Sequence, residues 1–143
     1  MAEKWQPTNA VEEDRLKKAQ ELEAQGVNLY PPRVKRTHTC RGALVLMTAY
    51  EEHNQAPENA PVVTVCGRIR RVNLKGKVSF MHIEDESGRI QLFLRVNDMD
   101  EAVYNRVKDK LIDMDDFVQA TGQLMRTKAG EISVRVYELV LLA

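Results

Sequence analysis

Residues 89–96 carry the pattern that most narrows the fold. Ile90, Leu92, Leu94 and Val96 alternate strictly with Arg89, Gln91, Phe93 and Arg95. An extended strand sends alternate residues to opposite faces, so one side must be buried while the other meets solvent. A helix would scatter the same four aliphatic residues around its circumference. The pattern recurs along the chain. In residues 77–85, Ser79, Met81 and Ile83 share one face, and Val78, Phe80, His82 and Glu84 the other. In residues 131–142, Ile132, Val134 and Val136 oppose Glu131, Ser133, Arg135 and Tyr137. Valine-rich residues 61–71 and residues 117–127 read as two further strands. Gly76, the turn Glu86-Ser87-Gly88 and the turn Lys128-Ala129-Gly130 separate neighbouring strands.

Between the third and fourth strands, residues 98–111 predict a helix. Asp98 or Asp100 is its cap, and Ala102, Val103, Val107 and Leu111 form its apolar face. Strand, strand, strand, helix, strand, strand is the OB-fold order. The expected class is therefore mainly β: a five-stranded OB-fold barrel with a helix between strands 3 and 4, preceded by N-terminal helices. Closure would dispose of most exposed edges. An open five-stranded sheet with a covering helix has the same order and is the alternative.

The first part of the chain reads differently. Asn9 and Glu12 make a capping-box pattern, Val11, Leu16, Ala19 and Leu22 a thin apolar stripe, and Gly26 a helix stop. So sparse a stripe predicts a helix that packs on the main domain or on a partner. Pro31 and Pro32 break regularity, and the basic stretch 33–39 is expected to be extended. Thr39 is positioned to cap a short helix from Cys40 to about His53, carrying Leu44, Met47 and Tyr50. Residues 54–61 read as a linker or surface loop. Two units follow: residues 1–60, a helical extension and linker, and residues 61–143, the OB-fold.

Composition removes several function classes. No apolar run approaches the ~20 residues of a membrane span, and residues 1–5 lack the character of a signal peptide. A cytoplasmic protein without membrane contact is the expectation. Cys40 and Cys66 form no CxxC pair, and with His38, His53 and His82 they supply no clustered metal ligands. Reduced structural thiols are expected, with Cys66 in or beside the core. No paired carboxylates or nucleophile–base set supports an independent enzyme, so no catalytic residue and no cofactor is assigned to this chain.

The outward strand faces carry the functional signal. They combine rings (Phe80, Phe93, Tyr137), hydrogen-bonding groups (Gln91, Glu131) and arginines. Single-stranded nucleic acid is held by such a mixture, through base stacking and cationic contacts to phosphate. RNA readout usually targets splayed-out bases. Basic and acidic residues balance at 21 each, but residues 61–83 hold Arg68, Arg70, Arg71, Lys75 and Lys77 and no acidic residue. That run flanks the track across strands two and three where OB-folds take their ligands. Each residue has a plainer reading. Phe93 fits a core position better than a stacking one, whereas Phe80 fits stacking better. Arg70 and Arg71 could form an ordinary solvated edge, and His82 reads as structural or solvent-facing. The residue pattern alone leaves a nucleic-acid binder and a protein-interaction module open.

Two blocks narrow this. The first runs through Cys66-Gly67-Arg68-Ile69, Gly76-Lys77-Val78-Ser79-Phe80 and Gly88-Arg89-Ile90-Gln91-Leu92; the second is Thr127-Lys128-Ala129-Gly130-Glu131-Ile132-Ser133. Together they resemble the anticodon-binding OB domain of class II lysyl-tRNA synthetases, in the aspartyl, asparaginyl and lysyl subgroup. Tyr30-Pro31 and Arg36-Thr37-His38-Thr39 extend the likeness upstream. The resemblance implies that Phe80 stacks on the central anticodon uridine, that Gln91 reads that base and that Glu131 contacts an anticodon base. Arg70, Arg71 and Asn73 complete the expected binding set; Asn73 stands where such enzymes often carry an arginine. The implied partners are a lysine-accepting tRNA, the catalytic domain of the same enzyme and, in a homodimer, a second copy. ATP and magnesium belong to that catalytic domain. The chain is expected to be a truncated piece of such an enzyme, with a natural free-standing tRNA-binding protein the lesser reading. The alternatives are a generic single-strand binder and a protein-interaction or dimerisation module.

Overall fold

The computed structural model describes residues 35–53 and 55–143, with Asp14, Lys17, Lys18, Gln20, Glu21, Leu22, Ala24 and Gln25 of the preceding segment. Five strands form the barrel: β1 (Val62–Lys75), β2 (Val78–Asp85), β3 (Gly88–Arg95), β4 (Phe117–Arg126) and β5 (Ile132–Leu141). Helix α1 (Cys40–Glu52) precedes them, and α2 (Glu101–Lys108) joins β3 to β4. Long β1 pairs antiparallel with both β2 and β4, and β3 meets β5 in parallel. The barrel closes in the order β1-β2-β3-β5-β4. No open sheet remains, which decides between the two architectures the strand order allowed.

The expected inward residues fill the core. Ile69, Met81, Ile83, Leu92, Leu94, Val134 and Val136 are fully enclosed. Close packing dictates glycine at Gly122, where an added Cβ would lie 2.0 Å from the carbonyl oxygen of Arg135. Gly76 turns β1 into β2 at φ 74, a left-handed backbone that glycine adopts without strain.

Several local expectations change. The third-to-fourth connection is a shorter helix, capped by Asp100, whose carboxylate accepts from Ala102 N–H. Its buried side is Tyr104 and Val107, whereas Ala102 is exposed. The Tyr104 hydroxyl donates to the Gly76 carbonyl at 2.6 Å and lies 3.0 Å from Ser79 Oγ. A phenol can be core and still spend its polar end on a turn, so α2 plugs the barrel and pins the β1–β2 turn together. Cys66 sits on the outer face of β1, half-buried, while Cys40 is the enclosed thiol. Burial pushes Cys40 up to about 12.

Residues before the barrel pack directly on it. Thr39 caps α1 by accepting from Gly42 N–H. The Asp85 carboxylate accepts from Cys40 N–H, and its other oxygen accepts from Ser87 and Gly88 N–H in the β2–β3 turn. Thr37 and His38 N–H both donate to the Thr64 carbonyl. The helical residues of the first segment reach the core through Leu22, and Gln25 accepts from Arg106 Nε. The expected cap at Asn9, the stop at Gly26 and the break at Pro31 and Pro32 lie outside the described residues. Among the described residues, no helix is long and apolar enough to cross a membrane.

Candidate nucleic-acid interface

A groove of about 660 Å³ runs over the outer faces of β1, β2 and β3 to the β4–β5 turn. Strand pairing builds it. Register sets Asn73 opposite Phe80, Phe80 opposite Phe93, and His82 opposite both Arg71 and Gln91. Outward residues of three neighbouring strands thereby stand side by side. Glu131 enters from the far side, at the start of β5.

Phe80 and Phe93 meet edge to face, with centroids 5.4 Å apart. Phe93 is thus not a core residue; it shares the groove with Phe80 because both lie on the outward parity of a directly paired ladder. Gln91 forms the floor. It is only 7% exposed although it faces outward, since the parallel neighbour Ser133 and the flanking side chains crowd it. Its amide makes no hydrogen bond among the described residues. Its donors and acceptor are left for whatever enters the groove.

His82 Nε2 lies 3.3 Å from both carboxylate oxygens of Glu131, spanning the groove from β2 to the turn. The turn is fixed locally as well. Thr127 N–H donates to the Glu131 carbonyl, and Glu131 N–H to Thr127 Oγ1. Along the β1 wall stand Arg71, Asn73 and Lys75, and Lys128 crowns the turn opposite. None of these four side chains has an ion pair or hydrogen bond among the described residues. Cationic walls with an aromatic and amide floor suit a polyanion carrying flat bases.

Arg70 does not join this set. A bulge between Ile69 and Arg71 inserts Arg70 as an extra residue in β1. Strict alternation would have put Arg70 on the solvent face and Arg71 inside; the bulge instead resets parity, as bulges do. Arg71, Asn73 and Lys75 then face the groove, while Arg70 turns to Glu84 at 3.6 Å and Asp115 at 3.2 Å. Tyr137 leaves the groove face for a related reason. It occupies an irregularity where β5 slips against Thr121 and Gly122, and stands half-exposed elsewhere. Arg95 and Arg135 are spent on Asp98. Arg135 grips both carboxylate oxygens at 2.9 Å and Arg95 one of them. The hydrogen bonds from Arg135, with those from Arg95, hold the Asp98 carboxyl down at about 2. The structure therefore brings Phe80, Gln91, Glu131, Arg71 and Asn73 together. It adds Phe93, which had read better as core, and His82, which had read as structural or solvent-facing, and it draws in Lys75 from the basic run and Lys128 from the β4–β5 turn. Lys75 had a signal: it keeps the parity of Arg71 and Asn73.

The closed barrel, with a ring-floored and cation-walled groove at its ligand-binding face, defines an OB-fold nucleic-acid-binding domain. Comparison with known families agrees, since residues 63–142 match a tRNA anticodon family model described as OB-fold nucleic acid binding domain. The chain belongs to this family of anticodon-binding OB domains. A lysine–tRNA ligase of Roseiflexus sp. (strain RS-1) is 44% identical over 138 residues, 94% of this chain and 26% of its own length. One from Dehalococcoides mccartyi (strain ATCC BAA-2266 / KCTC 15142 / 195) is 36% identical over 137 residues, 96% of this chain and 27% of its own length. One from Clostridium novyi (strain NT) is 33% identical over 144 residues, 99% of this chain. The chain spans about a quarter of the length of these relatives.

Proposed function

We propose that the groove binds the anticodon loop of a lysine-accepting tRNA, as the recognition part of a lysine–tRNA ligase. The observation that carries this reading is the unpartnered Gln91 amide on an aromatic floor. A flat base stacked on Phe80 brings its edge to that amide, and hydrogen bonds to a group with no other partner discriminate between bases. Glu131 offers a second acceptor for a base edge, and Asn73 a further hydrogen-bonding group. Arg71 and Lys75 hold the backbone as it passes, a contribution that weakens as salt rises. The relatives' name, the two sequence blocks and the groove chemistry support lysine as the cognate amino acid. Aminoacylation, with its ATP and magnesium, then belongs to a catalytic domain that accompanies this one, acting in the cytoplasm as a homodimer. Residues 61–143 supply the binding surface, and the described residues between 35 and 60 brace it.

Titration of a seven-nucleotide hairpin loop with a central UUU triplet tests the reading. Replacing the central uridine should lower affinity by about 1–3 kcal/mol, the cost of an unmade edge-reading contact, since any base still stacks. Equal affinity for all four bases there would favour a generic single-strand binder.

A further inference from the structure

Helix α1 lies outside the groove, yet it touches the element that carries Glu131. Arg126, the last residue of β4, donates through Nε and Nη2 to the two carboxylate oxygens of Glu51, at 2.8 and 2.7 Å. Its remaining terminal nitrogen, Nη1, donates to the Gly130 carbonyl. One planar guanidinium thus joins the last turn of α1 to the residue immediately before Glu131. We propose that Glu51 is a positioning residue for base recognition: through Arg126 it fixes the β4–β5 turn, and so sets where Glu131 stands across the groove. This rests on the reading of the groove given above.

Three observations carry it. The contact is a two-pronged fork, the geometry that fixes orientation as well as distance. Both side chains are partly solvated, at 44% and 33% exposed, so the pair adds little to overall stability. A contact that stabilises little but orients a turn has its main effect on what the turn presents. Finally, among the described residues, the backbone bonds of the turn close within it. Thr127 pairs with Gly130 and Glu131, and His82 meets Glu131 across open groove. Arg126 is the link that refers the turn to a rigid helix. Lysine at that position would keep the charge and lose the fork.

The test uses the 143-residue chain, the UUU hairpin and its variants at each anticodon position. Glu51→Gln should leave the melting temperature within about 2 °C of the parent, as for other exposed pairs. It should reduce discrimination at the base nearest Glu131 by about two- to fivefold, while discrimination at the base read by Gln91 stays intact. Without RNA, amide exchange at Gly130 and Glu131 should quicken, and that at Leu92 in the barrel should not. Arg126→Lys should behave like Glu51→Gln. Unchanged turn exchange in Glu51→Gln, a uniform loss at every base, or parental behaviour of Arg126→Lys would each overturn the assignment. Failure of the parent chain to discriminate between hairpins would instead sink the function of the groove; the exchange measurement would still judge the strut.

Discussion

Arg70 and Arg71 are adjacent in β1 and chemically identical, and their surroundings differ completely. Arg70 sits among Glu84 and Asp115, with Arg89 also drawn to Glu84. Arg71 looks across to His82 and has no partner among the described residues. Neighbouring parts of the outward surface differ in the same way. Beside Phe93, Arg135 and Arg95 are held by Asp98. Along the groove, the side chains of Arg71, Asn73, Lys75 and Lys128 make no ion pair or hydrogen bond among the described residues and stand beside two rings. Within this face, free hydrogen-bonding capacity next to the rings marks the candidate ligand track better than the number of arginines does.

Substitutions can break or sharpen this contrast. Phe80→Ala removes the stacking ring and should weaken hairpin binding by about 1–3 kcal/mol, read by fluorescence titration. An equal loss in thermal stability would instead make the ring structural.

Asp98→Asn releases the two arginines held beside Phe93 and reads out first in stability. The Asp98 carboxyl is held at about 2, below the 3.8 of a free aspartate. The unfolded chain therefore takes up its proton first as pH falls, and the folded state loses the contribution between about pH 4 and 2. Above that window the charged form adds roughly 2 kcal/mol. Denaturant unfolding should show the asparagine variant less stable at pH 7, with a shallower fall below pH 4.

The adjacent arginines give the finest comparison. Arg71→Ala should reduce the slope of log affinity against log salt by about 1, as one phosphate contact is lost. Arg70→Ala should leave that slope unchanged and cost about 0–1 kcal/mol of stability, the usual worth of partly exposed pairs. Equal slopes for the two variants would abolish the contrast.

Much of this was legible in the sequence, and the reason differs by element. Strands β2, β3 and β5 announce their inner faces because one wrong step of register would expose a full row of aliphatic side chains. The face of Phe80, Gln91 and Glu131 follows from the same parity. Strand β1 could not be read so far. A bulge leaves no mark in an alternating pattern that already ends in two arginines, and β1 continues four residues past the expected stop at Arg71. Phe93 misled because a phenylalanine among leucines looks like core until its partner strand is known. Tyr104, Asp98 and Arg126 owe their roles to partners 25 or more residues away in sequence, which no local pattern encodes.

The bonds from Thr37, His38 and Cys40 to Thr64 and Asp85 bear on how the chain can be shortened. A version starting at the first strand would keep every rung of the ladder and still bare the Thr64 carbonyl, Met47's seat and one oxygen of Asp85. Anyone trimming this protein for crystallography or display should therefore cut upstream of Leu22, because its wall is finished by polypeptide that topology diagrams assign to something else.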